Sequence, residues 1–469
     1  MKKTKIVCSI GPASSKPEVM SKMVEAGMNI ARINFSHATD EEKETVVKSV
    51  KEVREITGKN IGILFDTKGP EFRSGMLLND TITLKEGKTI RLVKEDVLGT
   101  EESISVNYKT AIDSLKVGDI VLIENGLMEL VVKTVEADGV TCLIISGGVL
   151  GNKKSMSVPG VKLDIPFISE QDKKDILYAA THEGDYLALS FVSTKEDVLA
   201  VRELLRVNKC EGILLISKIE SQTGIDNLEE IIEVSDGIMV ARGDLGVEVE
   251  MSLLPYEQSN MIEKCREHGK MVIVATEMLE SMKKNIRPTR AEVSDVTAAV
   301  LSGTDAVMLS GETTTGMYPV ETVTAMARIC KTAEKNYKNK YKLNEEDFKD
   351  VRAAICKSAV HAAKNLNAKL IVTPTISGAT AKYVSNLIPT CPVLAAVTSD
   401  EVKRHLSLNH GVYPVLVNKY ESTDEIVNDS IRVAKEFMDL LPGDIIVITG
   451  GFPNNDVNNV TNFIKIEVI

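Results

Sequence analysis

The chain has 469 residues, too many for one hydrophobic core, so two to four domains are expected. Its composition, 43% hydrophobic and 26% charged, is that of a soluble globular protein. The net charge of −11 argues against a nucleic-acid or anionic-membrane surface, so any anionic ligand must be held by a few local basic groups.

Seven cysteines (Cys8, Cys142, Cys210, Cys265, Cys330, Cys356, Cys391) are spread without a Cys-x-x-Cys pair, which suits reduced, mostly buried thiols. The apolar run after Met1-Lys2-Lys3 is too short for a signal peptide, and no run approaches membrane-spanning length. A cytoplasmic protein is expected.

Eight short β-branched runs are predicted as strands: 5–10, 29–35, 61–65, 186–191, 212–216, 237–240, 271–275 and 305–309. Helical patterns such as 15–26, 41–57 and 194–207 separate them, and the strands are nearly continuous in apolar residues. That pattern predicts an α/β fold whose core is a parallel (β/α)8 TIM barrel, built from 1–70 and 167–337. Between the third and fourth strands, 71–166 shows no convincing amphipathic helix but strands at 81–84, 89–92, 120–123, 128–135 and 141–146. Asn125-Gly126 reads as a tight hairpin turn. An inserted small β-barrel domain is predicted there, with Pro70 and Pro166 near its hinges, placed to act as a lid. Beyond 337 the pattern restarts with helices at 351–365, 401–408 and 423–440 and strands at 369–373, 392–397, 412–417, 444–449 and 462–468. This predicts a separate C-terminal α/β domain over 338–469.

Polar groups follow strand after strand: Asp66-Thr67-Lys68, Ser190, Lys218 with Glu220, Arg242-Gly243-Asp244, Thr276-Glu277 and Ser310-Gly311-Glu312. In a barrel these are the C-terminal strand ends, where active sites are built. Lys218 and Glu220, and likewise Arg242 and Asp244, are two apart, so in extended backbone each pair projects to one side. Two carboxylates near a lysine suit Mg²⁺, which completes its shell with water and phosphate oxygens; two structural ion pairs are the alternative. Arg32, Arg73, Lys154 and Lys218 would make a cationic cup for phosphate or carboxylate substrates. His37 has no nucleophile elbow near it, and no Gly-x-Gly-x-x-Gly follows a strand, which disfavours a serine hydrolase and a dinucleotide fold.

The stretches TKIVCSIGPAS (4–14), MNIARINFSH (28–37), DTKGPEFRSG (66–75), ISKIES (216–221), GIMVARGDLGVE (237–248), ATEMLESM (275–282), RPTRAEVSDV (287–296) and DAVMLSGET (305–313) together resemble the pyruvate kinase family over essentially the whole chain. The resemblance implies phosphoryl transfer from phosphoenolpyruvate to ADP, giving pyruvate and ATP, usually by a homotetramer. It implies Mg²⁺ (or Mn²⁺) on Glu220 and Asp244, and K⁺ on Asn34, Ser36, Asp66 and Thr67. Lys218 would neutralise the phosphoryl group in flight, Gly243 would offer backbone to the substrate, and Thr276 would act near C3. Arg32 and Arg73 would meet phosphates, with Asn34, Phe35, Ser36, His37 and Lys154 on the nucleotide side. Members that dispense with K⁺ tend to carry a lysine where this chain has Glu71. The turn at Thr373, Thr375, Ser377, Gly378 and Thr380 would be an effector phosphate site; without a basic residue there, a nucleotide or sugar monophosphate is expected over a bisphosphate. Departures from the family pattern fall at Glu124, Asn125, Ser155, Ser157 and Glu277. Another Mg²⁺-enolate barrel, such as a lyase, or a metabolite sensor with a dead barrel, remain the alternatives.

Overall fold

The computed structural model of the chain describes residues 1–36, 38–337, 350–452 and 461–469. Three strands open the fold: β1 (Lys5–Ser9), β2 (Ile30–Asn34) and β3 (Gly62–Asp66). The insertion follows with β4 (Thr81–Leu84), β5 (Thr89–Val93), β6 (Ser103–Ser105), β7 (Ile120–Ile123), β8 (Met128–Glu136), β9 (Gly139–Ser146), β10 (Gly148–Gly151) and β11 (Met156–Ser157). The first run then resumes with β12 (Tyr186–Leu189), β13 (Leu214–Ile219), β14 (Gly237–Ala241), β15 (Met271–Ala275) and β16 (Ala306–Leu309). These eight close into a parallel barrel in the order β1-β16-β15-β14-β13-β12-β3-β2, as the sequence predicts.

The helices begin where side chains can satisfy their first amides. Thr39, Ser169 and Thr289 form capping boxes with Glu42, Asp172 and Glu292, starting the helices Asp40–Thr57, Glu170–Thr181 and Arg290–Ser302. The insertion forms a six-stranded sheet, β11-β7-β8-β9-β5-β6, and a two-stranded ribbon, β10-β4, around an apolar core of its own. It also carries one short helix, Lys109–Asp113, which the sequence reading lacked. The turn at Asn125-Gly126 lies in a connection where Glu124, Asn125 and Gly126 all have positive φ. Beyond residue 350, β17 (Leu370–Pro374), β18 (Val393–Val397), β19 (Val412–Leu416), β20 (Ile445–Gly450) and β21 (Phe463–Val468) form a sheet ordered β19-β18-β17-β20-β21. All seven cysteines are free, and six of them are buried. Among the described residues no helix is long and apolar enough to cross a membrane.

One device recurs at the N-terminal end of the barrel. The residue before every second strand (Asn29, Asp185, Asp236, Asp305) takes the amide of the second residue of the preceding strand on its side-chain oxygen. The donors are the amides of Ile6 at 3.0 Å, Ile63 at 2.8 Å, Leu215 at 2.9 Å and Val272 at 3.0 Å. Asp185 also pairs with Arg404 at 2.7 Å, and Asp305 accepts the His410 amide at 3.0 Å. The C-terminal domain is thus docked on the same acids that finish the strands.

Asp305 is 3% exposed and serves Val272, His410 and, at 3.6 Å, the Arg266 guanidinium. Asp305→Ala strands two buried amides and a buried cation, so it should cost about 3 kcal/mol or more. Asp305→Asn, which keeps one acceptor, should cost less. Thermal unfolding of the two variants checks both the size and the order.

Candidate active site

Alternation along the strands builds the site. Val7, Ile30, Leu64, Ala188, Ile216, Met239, Ile273 and Met308 share the barrel's inner cluster. Two residues further along each strand the same side carries Ser9, Arg32, Asp66, Ser190, Lys218, Ala241, Ala275 and Ser310. The layer at the C-terminal rim is therefore polar around most of its circumference and small at β14 and β15.

Within that layer the charges are paired tightly. Arg32 Nε donates to Asp66 Oδ2 at 2.7 Å, and its Nη1 donates to Ser9 Oγ at 2.7 Å. The Lys218 ammonium meets Ser190 Oγ at 2.7 Å, Glu220 Oε1 at 3.0 Å and Asp66 Oδ1 at 3.2 Å. Burial alone would lower the Lys218 pKa, but Asp66 and Glu220 overcome it and hold it above the ordinary lysine value. Burial pulls Asp66 upward, yet Arg32 and Lys218 leave it below the usual carboxylate range. Glu220 is pushed up to about 7, first by burial and then by the charge of Asp244, against the pull of Lys218. Its other oxygen takes the Phe191 amide at 2.7 Å, and Phe191 has φ +59°.

A cavity of about 460 Å³ opens above this layer, and it brings together Arg32, Asn34, Ser36, Asp66, Thr67, Arg73, Lys218, Glu220, Asp244 and Thr276. Glu71 and Ser190 line it too. Other expected residues lie elsewhere. Phe35 turns outward into the helix layer, where its ring stacks on Phe65 at 5.2 Å, leaving its main chain toward the mouth side. Lys154 is bonded to Glu124 within the insertion and does not line the cavity. Arg73 grips Glu71 with two bonds, at 2.8 and 2.9 Å, and donates to Lys153 O at 2.8 Å. The Gly243 amide donates to Thr276 Oγ1 at 2.8 Å. His37 lies outside the described residues.

The pairing of Arg242 with Asp244 on one side requires correction. Strand β14 ends at Ala241, and the helix Arg242–Glu248 starts at once, so residues two apart diverge instead of sharing a face. Asp244 looks into the cavity, whereas Arg242 runs behind it to Thr276 O at 2.7 Å and Asp295 Oδ1 at 2.7 Å. Lys218 and Glu220 do share a side, because β13 runs on to Ile219, past the predicted end at 216.

The sequence reading missed Ser9, which the structure sets on Arg32, and gave no role to Ser190, which meets Lys218, or to Glu312, whose oxygens take the amides of Leu279 and Ser310. A second cavity, about 840 Å³, adjoins the first; it shares Arg32 and Asn34 and adds Ile10, Pro12, Ile33 and Val46. Period-two alternation from the apolar strand positions was the signal that could have found Ser9 and put Ser190 in the same layer as Lys218.

In the C-terminal domain the predicted effector turn is largely closed. Thr373 and Thr380 are buried, with Thr380 Oγ1 2.7 Å from Thr461 Oγ1, and the Gly378 amide donates to Thr375 Oγ1 at 3.1 Å. Ser377 is exposed. Most of the asparagine-rich segment beyond it, 453–460, lies outside the described residues.

The chain thus combines a TIM barrel with a charged mouth, an inserted β domain and a C-terminal α/β domain. Comparison with known proteins gives the family. The family described as "Pyruvate kinase, barrel domain" matches residues 1–323, and "Pyruvate kinase, alpha/beta domain" matches 353–467. A pyruvate kinase of Sporosarcina psychrophila is 44% identical over 474 residues, covering 100% of this chain and 81% of its own. One of Clostridium acetobutylicum is 41% identical over 475 residues and is covered end to end on both sides, 100% of each. The crystal structure of a pyruvate kinase from Cryptosporidium parvum superposes with TM-score 0.92 at 35% identity, covering 100% of this chain and 96% of that one. The chain belongs to the pyruvate kinase family.

Proposed function

We propose that the chain moves the phosphoryl group of phosphoenolpyruvate to ADP, giving pyruvate and ATP as the last step of glycolysis. The observation that carries this is the buried quartet Arg32, Asp66, Lys218 and Glu220, which faces a cavity bearing a second carboxylate, Asp244. Family membership supplies the reaction class.

Lys218 is a fixed cation in a dry layer, its ammonium preorganised by three oxygen partners. Such a cation is most effective where negative charge spreads over a phosphoryl group in transit. Arg32 and Arg73 would take phosphate oxygens; for Arg73 this means yielding part of its hold on Glu71. The larger adjoining cavity, with apolar walls next to Arg32 and Asn34, is sized for the nucleoside, and Ser36, Phe35 main chain, His37 and Lys154 complete the nucleotide side of the proposal. Thr276 and the Gly243 backbone would flank the substrate's carbon end.

Glu220 and Asp244 suit a divalent cation: the charge of Asp244 raises the cost of ionising Glu220, and a positive ion held by both would remove that conflict. Mg²⁺ (or Mn²⁺), when bound, supplies a Lewis acid that polarises phosphate and carboxylate oxygens. Asn34, Ser36, Asp66 and Thr67 line one wall with oxygen atoms, which suits K⁺. We extend the reading to domain boundaries at 70/71, 166/167 and 337/338, a lid role for the insertion, and a cytoplasmic homotetramer answering to a phosphate-bearing effector in the C-terminal domain. Turnover of phosphoenolpyruvate with ADP, read as pyruvate and ATP in equal amounts, tests the whole; a lyase or a silent sensor would release no ATP.

Lys218→Met should lower kcat by roughly 10²–10³-fold or more while KM for phosphoenolpyruvate changes far less. Steady-state kinetics check it, and a near-normal kcat removes Lys218 from the mechanism. Replacing K⁺ by a bulky organic cation at constant ionic strength should cut activity steeply, and Glu71→Lys should blunt the cut by placing an ammonium in the cavity wall. Equal rates with and without K⁺ in the unaltered chain defeat both the cation site and the role of Glu71. A panel of effectors should show activation by AMP or a sugar monophosphate, and strong activation by fructose 1,6-bisphosphate alone overturns that expectation.

A further inference from the structure

We infer that Arg242 is a positioning residue: its guanidinium, braced by Asp295, fixes the main-chain turn that presents the Thr276 hydroxyl to the substrate. The inference rests on the reading above, in which Thr276 stands beside the carbon that accepts a proton.

Thr276 and Glu277 have φ of +66° and +54° in succession, although neither is glycine. For a β-branched residue the left-handed region is a true outlier, and it persists only where surrounding contacts over-determine it. The contacts are on hand. Arg242 Nη2 donates to Thr276 O at 2.7 Å, and Nε donates to Ala275 O at 3.3 Å. Nη1 donates to Asp295 Oδ1 at 2.7 Å and Gln258 Oε1 at 3.4 Å, from two neighbouring helices. The Arg242 side chain is 10% exposed. Further along the same turn, Glu312 takes the Leu279 amide at 3.1 Å, and Glu292 takes the Ser281 amide at 2.7 Å. Those clamps hold the far end; Arg242 grips the carbonyl of Thr276 itself.

The consequence reaches the hydroxyl. Thr276 Oγ1 accepts from the Gly243 amide at 2.8 Å and donates to Ala275 O at 2.6 Å. Both bonds need the 275–277 backbone where Arg242 holds it. Released, the residue relaxes toward the extended region that a β-branched side chain prefers, and the hydroxyl leaves Gly243. An ion pair serving stability alone would have no need to hold the one carbonyl whose residue is strained next to the cavity.

In the reaction, the bond from phosphorus to the enol oxygen breaks as an ADP oxygen bonds to phosphorus, and the bonding pair stays on the departing oxygen as an enolate. That enolate then takes a proton at C3. Loosening Thr276 should slow this second step and leave the first, which depends on Lys218, nearly intact.

The test compares Arg242→Lys, Asp295→Asn and Thr276→Val, each checked for folding by thermal unfolding. Arg242→Lys, which cannot bridge Thr276 O and Asp295 at once, should lower kcat by about 10–10²-fold, the cost of a misplaced group. KM for phosphoenolpyruvate should stay within about twofold of the unaltered chain's. In single turnover ATP should form ahead of pyruvate, and the solvent deuterium isotope effect on kcat should rise, both as in Thr276→Val. Asp295→Asn should show the same signature more weakly, and the double variant should be no worse than Arg242→Lys, because both act through one carbonyl. Should Arg242→Lys fail to fold, Asp295→Asn carries the same readouts. A folded variant with unchanged kcat, or one that loses kcat with ATP and pyruvate still in step while Thr276→Val separates them, overturns the inference. If Thr276→Val itself keeps normal kcat and isotope effect, the role given to Thr276 is what has failed, and the inference falls with it.

Discussion

A closed parallel barrel leaves unpaired backbone groups at both ends, and those ends must be finished before the interior can stay dry. This chain finishes the N-terminal end with Asn29, Asp185, Asp236 and Asp305, placed identically before every second strand. An acid buried there needs a cation or further donors, and Arg404, Arg202, Arg266 and the His410 amide provide them. Two of these partners, Arg404 and His410, belong to the C-terminal α/β domain. Leu408 from the same segment joins the inner cluster of the barrel and closes it apolarly. Docking of the C-terminal domain and closure of the barrel floor are one set of contacts, so that domain cannot shift without disturbing strand ends.

With the floor sealed, chemistry is confined to the opposite rim. There the inner layer turns from aliphatic to charged in one step of the pleat, and the charges balance locally. Arg32 and Lys218 stand against Asp66 and Glu220, so both cations are already paired before any ligand arrives. A phosphate entering such a layer adds negative charge that Arg32 and Lys218 cannot meet fully while Asp66 and Glu220 hold them. The shortfall is where cations would fit in the proposed reading: a divalent ion held by Glu220 and Asp244 would release Lys218 from part of its pairing, and one more positive charge along Asn34, Ser36 and Thr67 would relieve Asp66. Metal dependence in the proposed reading follows from this balance.

How much of this was legible in sequence depends on periodicity. The eight barrel strands were readable because buried parallel strands are short and β-branched, and helices such as 41–57 because an apolar stripe follows a cap, here Thr39. Strands β6, β10 and β11 escaped, being two to four residues long and paired only through their neighbours. At the site, Lys218 and Glu220 were placed on one side correctly because β13 runs as far as Ile219, between them. Arg242 was misplaced because the stretch after the predicted strand 237–240 was taken as extended, and nothing in Ala241-Arg242-Gly243 marks a helix that starts without a side-chain cap. Lys154 was set at the cavity mouth on its charge and on the family resemblance, and the structure places its ammonium on Glu124, a residue already noted as a departure. Such local pairings are decided by tertiary approach, which one strand's pattern does not contain.

The positions where local rules fail are also the ones nearest the chemistry. Among the described non-glycine residues with positive φ, most occupy loops and turns far from the mouth, but Phe191, Thr276 and Glu277 follow barrel strands directly. Each carries an expected cost of about 1–3 kcal/mol. Two of them also do something an extended residue would not: Phe191 turns its amide onto Glu220, and Thr276 turns its hydroxyl under Gly243. The two groups so fixed, a carboxylate on one side of the cavity and a hydroxyl on the other, are held by main-chain turns and not by flexible side chains. Preorganisation of that kind removes reorganisation from the reaction itself, which is where its free-energy cost would be felt. The barrel can bear the strain because its floor and inner layers are complete without these residues.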